Sequence, residues 1–468
     1  LWSERQVLLR SGTPLRLDHL ERVAFRDAAV LILPGADFGE RRPETVDAQT
    51  VKTLLAVSQH ARHAGDAPPL AVAELYDGRR ALVAREAYDG ESEILATDEI
   101  ISQIIAESVR QGGLCGVFTE LLTINLGCAL YVRRVEGLAG ARFGEIRGAF
   151  PRAVVIGTVP SGGGWPNLNP ALETVVTNGD LLVFVARSFA DCEPADGSRS
   201  SAPAPPPEAR DPVSRSRHVL ILGWSRKVPA LLEDFAGYGE DAFEIDVVSA
   251  TPIADRESAL ARHGSGGANG RIRQIEAGYT APGVLERLEP QRYDNIVLLA
   301  SERLDEEEQA DATTAFAYLM LRRLLEKEDG RPAIFVELLD EENRFLFDGE
   351  LEDVIVSPLL VSYLLSQVAL RRELASVFAE LARPKGAHLV LEPAEAYLAT
   401  SGPVRFEELE RAASARGEIA LGLRRNGSDD GLVLNPDRDA EWMLGSGDQL
   451  VLLRSGDEPE GAGPALRP

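Results

Sequence analysis

Cysteine is scarce in this chain, and its three copies, Cys115, Cys128 and Cys192, fall at irregular spacings. That excludes a disulfide framework and points to a reducing compartment. The six histidines include no HxxxH pair, and none stands beside a cysteine, which argues against a zinc site. No apolar run of about 18 residues occurs and no signal-peptide pattern opens the chain, so these residues alone are not expected to span a bilayer. Positive charge is short as well: 49 Lys and Arg against 74 Asp and Glu leave a net charge of -25. Such a chain is repelled by nucleic-acid backbones and anionic membrane surfaces, and it leaves room for cations. GxSxG, HExxH and paired Cys–His signatures are all missing, so catalysis finds no support. What remains is an ordinary globular composition, 44% hydrophobic and 26% charged, in 468 residues, enough for several domains.

The chain repeats itself. "LCGVFTELL" (114–122) returns as "LASVFAELA" (374–382), about 260 residues later. "ELYD" (74–77) returns as "ELLD" (337–340), "AAVLILPG" (28–35) as "DNIVLLAS" (294–301), and "ARFGEI" (141–146) as "VRFEEL" (404–409). "LNPALETVVTNGDLLVFV" (168–185) matches "LNPDRDAEWMLGSGDQLVLL" (434–453). The order never changes, which chance does not produce. Residues 1–187 are expected to form a first unit and 218–455 a second, joined by a Pro-, Ser- and Ala-rich linker at 188–217 and followed by a tail at 456–468. Within each unit a Rossmann-like part (1–96, 218–356) precedes crossover helices (97–122, 357–382) and a small β-rich subdomain (123–187, 383–455). The second unit has about 60 residues with no counterpart in the first. The missing strand-helix-strand-helix would leave a bare sheet edge, so the chain is expected to begin inside a domain.

In the second unit, strands are expected at 218–222, 243–249, 272–276, 294–300 and 332–338, with helices at 226–236, 281–289 and 308–327. Short apolar strands alternating with amphipathic helices imply an α/β fold with a parallel sheet covered on both faces. Ser357 is expected to cap the following helix, with Pro358 in its first turn. Its stripe of Leu360, Tyr363, Leu364 and Val368 parallels Ile100, Ile101, Ile104 and Ile105 in the first unit. These stripes are either plain core or faces exchanged with a partner subunit. Asn178-Gly179-Asp180 and Ser446-Gly447-Asp448 mark tight turns into each final strand.

"HVLILGWSRKVPALLEDF" (218–235) has the layout of a dinucleotide-binding turn, but only Gly223 of the three glycines is present. Trp224 stands where pyrophosphate would approach, and the second strand ends "IDVVSA" with no acid for a ribose. NAD is therefore not expected. "GSGGANG" (264–270) follows a helix and lacks the GK[ST] ending, so it reads as a connection. The acidic stretch "SERLDEEEQAD" leaves the carboxyl end of a strand, where ligands of open α/β sheets bind. Asp305, Glu306, Glu307, Glu308 and Asp311, with Asp340, Glu341 and Glu342 from the next strand, are candidate oxygen ligands for Ca2+. Asp37, Glu40, Glu44, Asp47 and Asp77 occupy the same edges of the first unit. The competing reading makes these carboxylates complements to the positive ends of the next helices.

Together "HVLILGWSRKVPALLEDF", "DNIVLLASE", "ELLDEENR", "VIVSPLLVSYLLSQVA" and "GLVLNPDRD…SGDQLVLL" resemble the CASTOR/POLLUX family of ion channels, as does "SGTPLRLDHLERVAFRDAAVLILPG". The resemblance covers nearly the whole chain. It implies two tandem RCK (regulator of conductance) units in a cytoplasmic gating ring of a homotetrameric cation channel. Subunits would meet through the crossover helices, pore transmembrane helices would lie upstream of Leu1, and Ca2+ would regulate. The Arg- and Ala-rich, Lys-poor composition suggests a bacterial version, hence an inner membrane. The rival expectations are a nucleotide-sensing subunit of a potassium-uptake system and a Rossmann-type oxidoreductase.

Overall fold

The computed structural model describes residues 7–35, 43–123, 127–160, 164–195, 216–238, 242–264, 271–301, 307–326, 331–347, 353–383, 385–398, 402–426 and 431–456. The first repeat starts with α1 (Leu17–Glu21), β1 (Val30–Leu33), α2 (Pro43–Ala64), β2 (Leu70–Leu75), α3 (Ala81–Glu86) and β3 (Ser92–Ala96). Two crossover helices follow, α4 (Thr97–Arg110) and α5 (Leu114–Leu122). It closes with β4 (Ala129–Arg134), α6 (Phe143–Arg147), β5 (Ala153–Val159), β6 (Asn167–Leu168) and β7 (Leu181–Ala186).

The second repeat opens with β8 (Ser216–Leu222), α7 (Val228–Gly237), β9 (Ala242–Ser249), α8 (Ile253–His263), β10 (Arg271–Glu276) and α9 (Val284–Leu288). Next come β11 (Asn295–Leu298), α10 (Glu307–Leu325), β12 (Ala333–Leu338) and β13 (Asp353–Val356). Its crossover helices are α11 (Ser357–Leu370) and α12 (Leu374–Leu381). The remainder is β14 (His388–Pro393), β15 (Pro403–Arg405), α13 (Phe406–Ser414), β16 (Ile419–Arg424), β17 (Leu432–Leu434), β18 (Glu441–Met443) and β19 (Gln449–Arg454). The expected strands and helices of this repeat all form, with ends within a few residues of those read from periodicity.

Duplication is visible in the topology. The parallel order β1-β2-β3 recurs as β11-β12-β13, and β4-β7-β5-β6 recurs as β14-β19-β16-β17. Even the irregularities recur. β5 shifts register against β7 between Val155 and Gly157, and β16 against β19 between Ala420 and Gly422. A Cβ on Gly157 would lie 2.3 Å from the Asn167 carbonyl oxygen, and one on Gly422 would lie 2.2 Å from that of Val433. Both bulges therefore need a residue without a side chain.

The second repeat's six strands run β10-β9-β8-β11-β12-β13, all neighbours parallel, which is the doubly wound order. Apolar residues alternate inward on one face: Leu220 and Leu222, Ile296 and Leu298, Val336 and Leu338, Val354 and Val356. They pack under Ala317, Leu321 and Leu325 of α10, whose spacing puts one helical face on the sheet. The first repeat's sheet packs Ala71, Ala73 and Leu75 against Leu54 and Val57 of α2 in the same way.

The described chain forms two compact bodies that do not coincide with the repeats. One comprises Leu1–Glu99 with Leu364–Ala375; the other comprises Ile100–Tyr363 with Ser376–Pro468. Each body thus contains crossover residues from the other repeat. In the larger body, α4 lies on the second repeat's sheet domain. The Ser102 hydroxyl donates to the Lys227 carbonyl at 3.1 Å, and Tyr238 at the end of α7 donates to Glu107 at 2.7 Å. Gly113 N–H, just before α5, donates to the Asp353 carboxylate of β13 at 2.8 Å. In the smaller body, Arg372 between α11 and α12 pairs with Glu93 of β3 at 3.0 Å and with Glu91. The stripe Ile100, Ile101, Ile104 and Ile105, a candidate for exchange with a partner subunit, is buried inside the chain itself. Duplication made this possible, because one chain supplies both halves of the exchange.

Candidate functional site

The strand-end cleft of the second sheet is built where β8 and β11 part company, the switch point of a doubly wound fold. Gly223 ends β8 with φ +114, and a Cβ there would sit 2.4 Å from the Leu299 carbonyl oxygen. The glycine is thus kept for close approach to the neighbouring strand. Lys227 turns inward after it: its Nζ pairs with Glu337 Oε1 at 2.9 Å, and both side chains are almost fully buried. Glu337 Oε2 and the Ser225 hydroxyl are buried beside this chemistry without a hydrogen-bond partner. Fully buried Arg256 of α8 donates to the carbonyls of Val247 and Ile275, both at 3.1 Å, with its guanidinium 5.8 Å from the Trp224 ring. Lys227, just after the β8 turn, is thus tied to Glu337 of β12, and Trp224 of that turn to Arg256 of α8.

The Ser357 hydroxyl donates to Glu337 of the adjacent strand, a change from the helix-capping role expected of it. The first repeat repeats the device. Thr97, the first residue of α4, donates to Glu74 Oε1 at 2.7 Å, and Gly35 N–H donates to Glu74 Oε2 at 2.7 Å. In both repeats a strand-end glutamate holds the hydroxyl that opens the crossover helix. Glu74 and Glu337 lie in the matched "ELYD" and "ELLD", yet sequence alone marks them as repeat signatures only. Lys227 carried no repeat signal, since its segment has no counterpart in the first repeat.

Asp311, near the start of α10, is buried, and its carboxylate accepts from Leu339 N (2.9 Å), Asp340 N (3.0 Å) and Asn343 Nδ2 (2.9 Å). Asp47 in α2 does the same for Tyr76 N (2.9 Å) and Asp77 N (3.3 Å), with Arg80 at 2.7 Å. Burial raises the Asp47 pKa, opposed by those N–H donors and by Arg80. Asp340 and Asp77 each accept from the N–H two residues on, Glu342 and Arg79. For Asp77 the side-chain bond from Arg79 outweighs partial burial and lowers the pKa. Glu308, Glu341 and Glu342 are exposed, and Glu44 lies in the first turn of α2. Asp37, Glu40, Asp305 and Glu306 lie outside the described residues, as does the side chain of Glu307. Among the described residues no three acids, histidines or cysteines converge as a metal site. The two best buried of the candidate carboxylates, Asp47 and Asp311, tie a helix start to the end of the next strand.

With this geometry in view, comparison with known proteins is informative. Residues 98–199, spanning α4, α5 and the first β-rich subdomain, match a family model described as "Castor and Pollux, part of voltage-gated ion channel". A probable ion channel CASTOR from Oryza sativa is 24% identical over 96% of this chain and 53% of its own length. The chain is similar in sequence to the CASTOR and POLLUX ion channels. A probable POLLUX channel from Arabidopsis thaliana is 23% identical over 96% of this chain and 58% of its own length. The chain spans about half the length of these CASTOR and POLLUX relatives. They are plant proteins, which gives the bacterial expectation no support. Among solved structures, the human SLO3 gating ring superposes with a TM-score of 0.71 at 14% identity, covering 96% of this chain and 91% of that one. The fold is accordingly shared with that structure, with the tandem Rossmann-like arrangement that the CASTOR/POLLUX resemblance implied. No helix among the described residues is long and apolar enough to cross a membrane.

Proposed function

We propose that the chain is the ligand-sensing gating module of a tetrameric cation channel, on the cytoplasmic side of its membrane and coupled to a pore outside these residues. The observation that carries this reading is the reciprocal exchange of crossover helices between two duplicated RCK units. Each exchanged helix begins at a hydroxyl held by a strand-end glutamate, Thr97 on Glu74 and Ser357 on Glu337. A ligand that engages either glutamate acts directly on the first residue of a crossover helix. It shifts the gate only by its differential affinity for the open and closed arrangements. The Ca2+ part of this reading rests on the acidic sequence Asp305, Glu306, Glu307, Glu308 and Asp311 together with Asp340, Glu341 and Glu342.

Light scattering of the purified chain, with calorimetric titration of Ca2+, ATP and NADH, tests the proposal. Tetramers or larger rings and saturable binding of one ligand are expected, with Glu74→Gln altering that ligand's effect. A chain that stays monomeric at high concentration and binds none of the three sinks it. Tightly bound nicotinamide cofactor in the purified protein would favour the oxidoreductase instead.

A further inference from the structure

A doubly wound sheet is normally covered on both faces, but between β10 and β11 the chain supplies only five-residue α9 and a short 3-10 turn, Pro290–Arg292. The sheet face beside them is left as a groove of about 560 Å³. It runs from His218 of β8, Glu244 of β9 and Arg271 of β10 to Ile275 at the end of β10 and Ala277 just beyond it, and neither Gly223 nor Lys227 lines it. Apolar Ile275 and Leu288 and the Tyr293 ring form part of its wall. Four arginines line it beside three carboxylates, Glu244, Asp246 and Glu289, so cationic groups outnumber acids there in a chain of net charge -25.

Two of the four are already neutralised. Arg273 donates to Asp246 at 2.8 Å, and Arg292 pairs with Glu289 at 2.7 Å. Arg271 and Arg287 are exposed and form no ion pair among the described residues. Guanidinium groups present planar donor forks that match phosphate oxygens. A groove of this size falls within the roughly 300–1,000 Å³ typical of small-molecule sites, far more than inorganic phosphate fills.

We propose that this groove binds a small organic phosphate of mononucleotide size. Arg271 and Arg287 hold its phosphate, and its body lies against Ile275, Leu288 and Tyr293. Arginines that merely deter pairing at the edge strand β10 would bind no such ligand.

Calorimetric titration of the full chain with AMP is the test, with adenosine and inorganic phosphate as separate arms. Saturable AMP binding at about 1 mM or tighter is expected, weakened about tenfold or more for adenosine and for phosphate alone. Arg271→Ala with Arg287→Ala should weaken AMP by a similar factor without moving the unfolding temperature, since both side chains are exposed. Leu288→Trp should block the groove while leaving every charge in place. Trp224→Ala, at the strand-end cleft, should leave AMP binding unchanged. The proposal is overturned by an absence of saturable AMP binding, by AMP binding indifferent to the arginine pair, by phosphate binding as tightly as AMP, or by loss of binding in Trp224→Ala alone.

Discussion

Lys227 and Glu337 form an ion pair whose side chains are both almost fully buried. Removing one partner leaves an isolated charge in a low-dielectric interior, so Lys227→Met should cost roughly 3 kcal/mol. Lys227→Met combined with Glu337→Gln should recover much of that loss, because no net charge is then buried. Urea denaturation of the two variants measures both; a single variant as stable as the parent would show that Glu337 finds another partner. Gly157 and Gly422 are a second residue-scale case. Alanine at either bulge forces a Cβ against a carbonyl oxygen, and each substitution should cost about 2 kcal/mol. Equal losses at the two sites are expected from their equivalent positions; a loss at only one would mean that the two bulges relax differently.

At the scale of elements, the turn between α4 and α5 is held by Asp353, which is buried and accepts from Gly113 N–H at 2.8 Å and Cys115 N–H at 3.4 Å. The corresponding turn between α11 and α12 is held instead by Arg372 on Glu91 and Glu93, with Arg372 half-buried and Glu91 exposed. One joint is a buried acceptor for backbone donors and the other an ion pair open to solvent, which salt screens. Asp353→Ala should therefore destabilise by about 2 kcal/mol and raise hydrogen exchange at the start of α5. Arg372→Ala should cost about 1 kcal/mol or less, and that loss should shrink in high salt. Exchange rates that rise equally in both helices after either substitution would contradict the distinction. The two C-terminal subdomains also mirror each other. Asn169 and Asn435 both adopt positive φ, and their side-chain amides donate to Gly417 and Arg152 carbonyls, each at 2.7 Å. The repeated "LNP" is the visible trace of that pairing.

For the molecule as a whole, acid sensitivity follows from His388 in β14. Burial lowers its pKa from the ordinary 6.5, with Arg110 and Arg454 adding to the effect while Glu107 and the Gly386 carbonyl oppose it. Below pH 6.5 the unfolded chain takes up a proton that the folded chain resists. Stability should therefore fall as pH drops through 6.5 and level off below the folded pKa. His388→Gln should reduce that acid slope, by about 1 kcal/mol or less between neutral pH and about pH 5. Denaturation midpoints of parent and variant across that range check it, and parallel curves would assign the acid limb to other groups.

Composition and periodicity by themselves determined much of the protein: the α/β class, the duplication, the strands of the second sheet and the loss of the dinucleotide fingerprint. Those properties live in local spacing, where apolar alternation and glycine placement act within a few residues. Tertiary structure alone decided which carboxylates matter. "DEEEQAD" reads as eight-fold ligand potential together with "DEEN", yet Asp311 is turned onto the backbone of the next strand, and the quieter Glu74 and Glu337 hold the crossover helices. Only the fold, too, placed crossover residues of each repeat in the body of its sister. A helix stripe records that a face is buried, but the partner it meets is fixed by contacts between residues hundreds of positions apart.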